Sequence, residues 1–187
     1  MSTVTKLFIG LFTMLFMTII LVVGYVVSVN NTCVDMEATI KAQYKQNQNN
    51  YDNYFKTLQE SAQVPSMYMA DLKKLYDSTM SGRYGKNGSK ATWQFIKEHN
   101  PTVDTSMYVK IQTIIETGRK DFENNQRMLL DKKRVYEDTY LKRFPTSLVA
   151  STLGFPKIDL ASMDIVTSDE TEKAFATKKA GPIKLMQ

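Results

Sequence analysis

The side chains best suited to catalysis or metal binding are scarce in this sequence. It contains one histidine, His99, and one cysteine, Cys33. Zinc sites need several histidines or cysteines at short spacing, and neither a histidine pair nor a Cys-x-x-Cys motif occurs. The nucleophile elbow Gly-x-Ser-x-Gly is also missing, and Lys97-Glu98-His99 lacks the Glu-x-x-His spacing of helical di-metal sites. We predict a non-enzymatic chain with no catalytic residue, metal site or cofactor, and we interpret His99 as a loop or helix-end residue.

The segment from Gly82 to Lys90 is rich in glycine and lysine, as phosphate-binding loops are. A Walker loop needs a second glycine five residues after the first, followed by Lys and Ser or Thr, after a strand. Asn87 stands at that second position, so we predict a flexible connector here. The acidic residues further on alternate with basic ones, which favours a solvated helix face over a pair of catalytic carboxylates. These acidic residues are Asp121, Glu123, Asp131, Glu137 and Asp138.

The distribution of charge argues against nucleic acid as a partner. The net charge of +5 and pI of about 9.1 come from basic residues that are interleaved with acidic ones, without a dense basic block. Nucleic-acid binding is therefore not expected, whereas a mildly positive domain suits an anionic lipid surface. Cys33 is interpreted as a small residue at a membrane edge, and a disulfide between two copies stays open.

The stretch 7–29 is free of charged residues and organises the rest of the chain. About twenty apolar residues in a helix span the roughly 30 Å hydrocarbon core of a bilayer. A cleaved signal sequence has a shorter apolar core and a small-x-small site, so we predict an uncleaved signal-anchor. Lys6 precedes the stretch, and Asp35 and Glu37 follow it, which favours a cytoplasmic N-terminus, although Lys41 and Lys45 offset Lys6.

Three amphipathic patterns follow the anchor, each with apolar residues at steps of three and four. The first continues the anchor helix to Ala62 before Pro65; its other face, which includes Gln43, is polar. Its stripe is Ile40, Tyr44, Asn47, Tyr51, Tyr54, Phe55, Leu58 and Ala62. The second covers Met69–Met80, with Ser66 as its predicted cap, and a short helix around Trp93 follows.

The third pattern is the longest and has Asp104 or Thr105 as its predicted cap. Its stripe is Met107, Ile111, Ile114, Ile115, Gly118, Phe122, Leu129, Tyr136, Tyr140 and Phe144. Gly118 within this stripe lets a neighbouring helix come close. Leu148, Val149 and Leu153 then predict a last helical turn.

These patterns predict an all-α protein without strands. We expect an N-terminal transmembrane helix followed by an elongated antiparallel helical bundle of three long helices plus short ones. The predicted domains are a flank at 1–6, the anchor at 7–29, the bundle at 30–157 and a disordered tail at 158–187.

The order of these features resembles the LemA family. Glu98 and Pro101 are similar to its Glu-x-Tyr-Pro connector, and Gln112, Glu116 and Arg119 fall where its third helix has Gln, Glu and Arg. The closing pattern is the most specific, and it comprises Tyr136, Phe144, Pro145, Ala150, Gly154 and Phe155. The basic pair and the proline of the family's first helix are missing around Asp52, so the chain would be a divergent member. Its use of Asn, Lys and Met suits an A·T-rich genome such as that of a bacteriophage.

The resemblance implies a membrane-anchored helical bundle and supplies no active site. We expect a single-pass protein of a bacterial inner membrane with its domain outside the cytoplasm. Its expected partners are the lipid bilayer and another membrane or envelope protein, with a homo-oligomer left open. The alternative is a spanin-like phage lysis protein with an anchor and an extended periplasmic coiled coil.

Overall fold

The computed structural model describes residues 3–80, 87–104, 106–166 and 176–177, and all regular secondary structure among them is helical. No strand occurs among these residues, which confirms the predicted all-α class. The helices are α1 (Thr3–Ala62), α2 (Met69–Met80), α3 (Gly88–His99), α4 (Met107–Tyr136) and α5 (Thr146–Thr152). A 3-10 turn, Ser66–Tyr68, precedes α2, and a π-helical turn, Glu137–Leu141, follows α4.

Helix α1 runs without a break from the apolar stretch into the amphipathic one, as predicted. Its N-terminal part is long and apolar enough to cross a membrane, and none of its most apolar window is buried within the structure. The helix ends at Ala62, where Gln63 adopts a positive φ of 46°. Asn100 donates hydrogen bonds from Nδ2 to the carbonyls of Ala62 and Gln63, at 3.1 and 3.4 Å. This side chain therefore satisfies acceptors that a helix end leaves open.

The chain divides into two compact units. The first unit comprises Met1–Ala42 and Leu130–Met163, and the second comprises Gln43–Leu129 and Asp164–Gln187. The core of the second unit lies between α1, α2, α3 and α4, and it includes Leu58, Leu72, Tyr76, Ile96 and Ile111. Leu58 and Ile111 lie on the predicted stripes of the first and third patterns, and Leu72 and Tyr76 lie within the second pattern, which confirms the helical periodicity there.

Gly118 of α4 lies where α1 and α4 approach each other closely in the second unit. A Cβ atom at this position would lie 3.0 Å from Cγ of Tyr54 on α1. The Tyr54 ring cannot easily move, because its hydroxyl is hydrogen-bonded to Asp121. The predicted role of Gly118 is confirmed.

Several expectations need correction or fall outside the described residues, and the predicted cap Thr105 is among the latter. Ser66 does not directly precede α2, because it is the first residue of the 3-10 turn Ser66–Tyr68, whose N-cap is Pro65. Gln43 is buried rather than exposed, since it donates to Asn47, which donates in turn to the carbonyl of Asn125. The connector is shorter than predicted because α3 already begins at Gly88; residues 81–86 lie outside the described part. The same holds for most of the predicted tail, 167–175 and 178–187.

The first unit buries its own set of residues, namely Val29, Cys33, Glu37, Ile40, Tyr136, Ala150 and Phe155. Phe144 does not join them, although the spacing of Tyr136, Tyr140 and Phe144 predicts one continuous face. Regular α-helix ends at Tyr136, the π-helical turn changes the direction of the following side chains, and Phe144 is 77% exposed. The peptide bonds before Pro145 and Pro156 are cis.

Candidate functional site

The first unit contains a buried carboxylate, Glu37, on α1. Its Oε1 atom accepts a hydrogen bond from the hydroxyl of Tyr136 at 2.8 Å and from the backbone N–H of Lys157 at 2.7 Å. Glu37 is 6% exposed and Tyr136 is completely buried. One carboxylate thus joins α1, the end of α4 and the segment after α5. We refer to Glu37, Tyr136 and Lys157, with the neighbouring Cys33, as the Glu37 cluster.

Two groups in the Glu37 cluster are held in their neutral forms. The pKa of the Tyr136 phenol is raised, mainly by burial and also by its hydrogen bond to Glu37. Burial likewise raises the pKa of the Cys33 thiol, the charge of Glu37 adds to this, and Lys157 partly opposes it. A nucleophilic cysteine needs the opposite shift. The chemistry of this cluster is therefore hydrogen bonding between packed segments.

The C-terminal cap of α5 places Lys157 beside Glu37. Gly154 has a φ of +75°, its N–H bonds to the carbonyl of Ser151, and the N–H of Phe155 bonds to the carbonyl of Ala150. These two bonds and the left-handed glycine make a Schellman motif, in which residues such as Ala150 and Phe155 form an apolar contact. Both side chains are buried. The cap therefore explains locally why a small residue, a glycine and an apolar residue stand at positions 150, 154 and 155.

The remaining family-pattern residues do not gather into a site. Glu98 and Pro101 are exposed at the α3–α4 connection, and Phe144 and Pro145 are exposed before α5. Arg119 forms an ion pair with Glu123 across one turn of α4 at 3.3 Å. Of the family-pattern residues, Tyr136 belongs to the Glu37 cluster, and the α5 cap formed by Ala150, Gly154 and Phe155 precedes its member Lys157.

The second unit contains a cation held by aromatic rings. Lys73 Nζ lies 2.7 Å from Oδ1 of Asp77 and 4.7–5.4 Å from the ring centroids of Tyr51, Phe55 and Tyr76. The hydroxyl of Tyr51 donates to the same Asp77 oxygen at 2.7 Å, and burial is the main cause that raises the pKa of this phenol. This group connects α1 with α2 through cation–π contacts and charge-assisted hydrogen bonds.

His99 is also engaged in packing. It is the last residue of α3, its Nδ1 lies 2.8 Å from the carbonyl of Phe95, and its ring contacts those of Phe95 and Tyr68. The interpretation as a helix-end residue is confirmed. Within the described ranges, no group of three or more His, Cys, Asp or Glu side chains could hold a metal ion.

Sequence reasoning missed Glu37, Gln43 and Asn100 as buried or bridging polar residues. Glu37 and Asn100 bond to partners far along the chain, and the separation between Glu37 and Tyr136 is 99 residues. Gln43 bonds to Asn47, one helical turn away. The i,i+4 spacing of Gln43 and Asn47 was a usable signal, because this spacing favours amide pairs on one helix face.

No family model matches this chain, and comparison with curated proteins and with solved structures found no match either.

Proposed function

We propose that this chain is a single-pass membrane protein that carries a non-catalytic helical-bundle domain of LemA type. The observation that supports the anchor most directly is the exposure of the apolar part of α1. Its large side chains from Val4 to Val27 are exposed on every side of the helix, with values such as 69% for Leu11 and 59% for Phe16. A soluble protein rarely exposes so large an apolar surface, whereas a bilayer covers it.

The contacts of the second unit support an antiparallel arrangement of α1 and α4. Asn47 contacts Asn125, and Tyr54, further along α1, contacts Asp121, which is earlier in α4. Antiparallel neighbours joined by short connections are typical of helical bundles. In the first unit, the return of Tyr136 to Glu37 favours a folded-back domain over the single extended coil of the spanin-like alternative.

The role that fits this arrangement is binding to another membrane or envelope protein. The polar and titratable groups described above are used in packing, which supports an interaction module rather than an enzyme. Exposed apolar side chains on α4, including Val109 and Met128 at 66% and 49% exposure, are available for a partner or for a second copy of the chain.

Alkaline extraction of membranes tests the anchor. We expect the full chain to stay in the membrane pellet at its full length, because the apolar segment is not cleaved. The double variant Leu15→Arg/Ile19→Arg should be released, because charges in the hydrocarbon core are costly. Met67→Arg is the matched control, since Met67 is 76% exposed outside the segment. Release of the unaltered chain, or loss of its first 30 or so residues by the mass of the protein, would contradict the anchor.

Photo-crosslinking in cells tests the interaction role. A photoreactive residue is placed at Val109 or Met128 in the full chain, and adducts are identified by mass. We expect adducts with a membrane or envelope protein, or with a second copy. If neither position, nor other exposed positions along α4, gives an adduct, the interaction role is wrong.

A further inference from the structure

The turn between the π-helical turn and α5 exposes two large apolar side chains beside two cations. Phe144 is 77% exposed and Leu148 is 60% exposed, and Lys142 and Arg143 directly precede them. We call residues 142–148 the α5 tip. Large apolar side chains exposed close together and beside basic residues are typical of a surface that binds a membrane or a partner.

Hydrogen bonds hold the α5 tip in a defined turn. The hydroxyl of Thr146 donates to the carbonyls of Thr139 and Arg143, at 2.8 and 2.6 Å. The N–H of Ser147 also bonds to the carbonyl of Arg143 at 2.8 Å, and that of Lys142 bonds to the carbonyl of Glu137 at 2.9 Å. These bonds fix the backbone on both sides of Phe144, so its exposed side chain is presented by a defined turn.

The contact between α1 and the end of α4 indicates the direction in which the tip lies. Tyr136 is bonded to Glu37, which is eight residues beyond Val29, a rise of about 12 Å along a helix. The chain from Tyr136 to Phe144 is also eight residues long, and in the proposed antiparallel arrangement it runs back toward Val29. Val29 is 4% exposed and Cys33 is fully buried, so chain from the same unit covers α1 where the apolar segment ends.

A lipid headgroup layer matches the chemistry of this surface. Aromatic and leucine side chains insert at the boundary between headgroups and acyl chains, and basic residues attract anionic lipids. Lys142 is paired with Glu137 and Asp138, at 3.1 and 3.2 Å, so Arg143 provides most of the attraction. Position at the end of the membrane-spanning segment favours lipid over any other occupant.

We propose that the α5 tip docks on the anionic bilayer that α1 spans, with Phe144 and Leu148 inserted at the headgroup level. This inference rests on the proposed anchor. It gives the first unit two attachments to the membrane, the spanning segment and the tip.

Quenching by brominated lipids tests the proposal on the full chain. A fluorophore is attached to Ser151→Cys, an exposed position one helical turn from Leu148, in a Cys33→Ala background, and the protein is reconstituted in vesicles. The vesicles contain phosphatidylcholine alone or with phosphatidylglycerol, with or without bromine on the acyl chains. Flotation of the vesicles reports separately whether the chain is anchored.

We expect brominated lipid to quench the fluorophore, more strongly with phosphatidylglycerol present. Phe144→Asp/Leu148→Asp should abolish the quenching, and Arg143→Gln should abolish its dependence on phosphatidylglycerol. Met67→Asp, which removes an exposed apolar group elsewhere, should leave it unchanged. Circular dichroism confirms that each variant remains helical.

Two results would overturn the docking while leaving the anchor intact. One is a chain that floats with the vesicles but is not quenched by brominated lipid. The other is a blue-shifted fluorophore without lipid quenching, which would show that a second copy of the chain covers the tip. A chain that does not float overturns the anchor, and the docking proposal fails with it.

Discussion

The Glu37 carboxylate accepts two hydrogen bonds that connect separate segments of the first unit. Replacement by Ala leaves the Tyr136 hydroxyl and the Lys157 N–H without their acceptor. A buried group without a partner costs about 1–3 kcal/mol, so we expect Glu37→Ala to lower the free energy of unfolding by about 2–4 kcal/mol. Tyr136→Phe removes one of the two donors and should cost less. Thermal unfolding of the detergent-solubilised full chain, followed by circular dichroism, measures both changes.

Asp35→Ala is the matched control for Glu37→Ala, because Asp35 is an exposed acid two residues away on the same helix. Its removal should leave the melting temperature nearly unchanged, since exposed charges contribute little. Equal melting temperatures for Asp35→Ala and Glu37→Ala would show that the Glu37 cluster does not stabilise the fold.

The Cys33 thiol should be unreactive in the folded chain. Burial, and then the charge of Glu37, raise its pKa above the ordinary value of 9.0, so the thiolate is scarce at neutral pH. We expect a maleimide reagent to leave Cys33 unlabelled until the protein is denatured, while an exposed Ser162→Cys reacts at once. The pKa of Cys33 is higher in the folded chain than in the unfolded chain. The contribution of the neutral thiol to the free energy of unfolding is therefore fully present below pH 9.0, and it is lost as the pH rises through the raised pKa. Equal native labelling of both cysteines would contradict the burial.

At the residue scale, the sequence predicts apolar burial better than polar burial. Ile40, Leu58 and even Asn47 lie on the expected face of α1, because the helical period alone determines that face. Glu37 and Gln43 look like solvated residues by type. Glu37 is bonded to Tyr136 and Lys157, far along the chain, and Gln43 is joined through Asn47 to the carbonyl of Asn125. Such pairs depend on the packing of helices, which a single sequence does not specify.

At the scale of elements, the contact of α1 with α4 at Gly118 sets how closely these helices approach. Gly118→Ala gains up to about 1 kcal/mol in helix propensity, but overpacking costs about 1–3 kcal/mol. We therefore expect a net loss of about 1 kcal/mol. Thr117→Ala is the control, because Thr117 is exposed next to Gly118 and its replacement raises helix propensity without overpacking. In a Tyr54→Ala background, Gly118→Ala should become stabilising; if it remains destabilising there, Tyr54 is not the cause.

The cap of α5 depends on the left-handed conformation of Gly154. A side chain in this conformation costs roughly 1–2 kcal/mol, so Gly154→Ala should lower stability by about that amount. Gly154→Asn should cost less, because Asn tolerates left-handed backbone better. Ser151→Ala, on the exposed side of α5, controls for the substitution itself. A Gly154→Ala melting curve that matches wild type would rule out this cap as a stabilising feature.

The boundaries of α4 and α5 show where helical periodicity stops being informative. The spacing of Tyr136, Tyr140 and Phe144 fits a continuing helix, and Pro145 indicates only that it must end. The π-helical turn arises from the local packing and bonding of residues 137–141, which leave no periodic signal. Phe144 was therefore predicted in the core, whereas it is exposed at the α5 tip.

At the scale of the whole molecule, the helical periodicity and one long uncharged apolar stretch were enough to predict the all-α class and an apolar helix near the start. The orientation of this helix across a membrane would depend on the few charged residues that flank it. Lys6 and the α-amino group precede the apolar segment, and Asp35 follows it, whereas Lys41 and Lys45 counteract Lys6. Burial of Glu37 beside Tyr136 does not alter this balance, because orientation depends mainly on Lys and Arg near the segment.

We expect the domain to face away from the cytoplasm, and single-cysteine labelling of intact cells tests this. Ser2→Cys and Ser162→Cys are made separately in a Cys33→Ala background and treated with a membrane-impermeant maleimide. Label on Ser162→Cys alone is the expected result, and it would direct the search for partners to the envelope. Label on Ser2→Cys alone would place the domain in the cytoplasm and exclude the spanin-like alternative. In that case the α5 tip would dock on the cytoplasmic leaflet, where anionic lipids also attract Arg143.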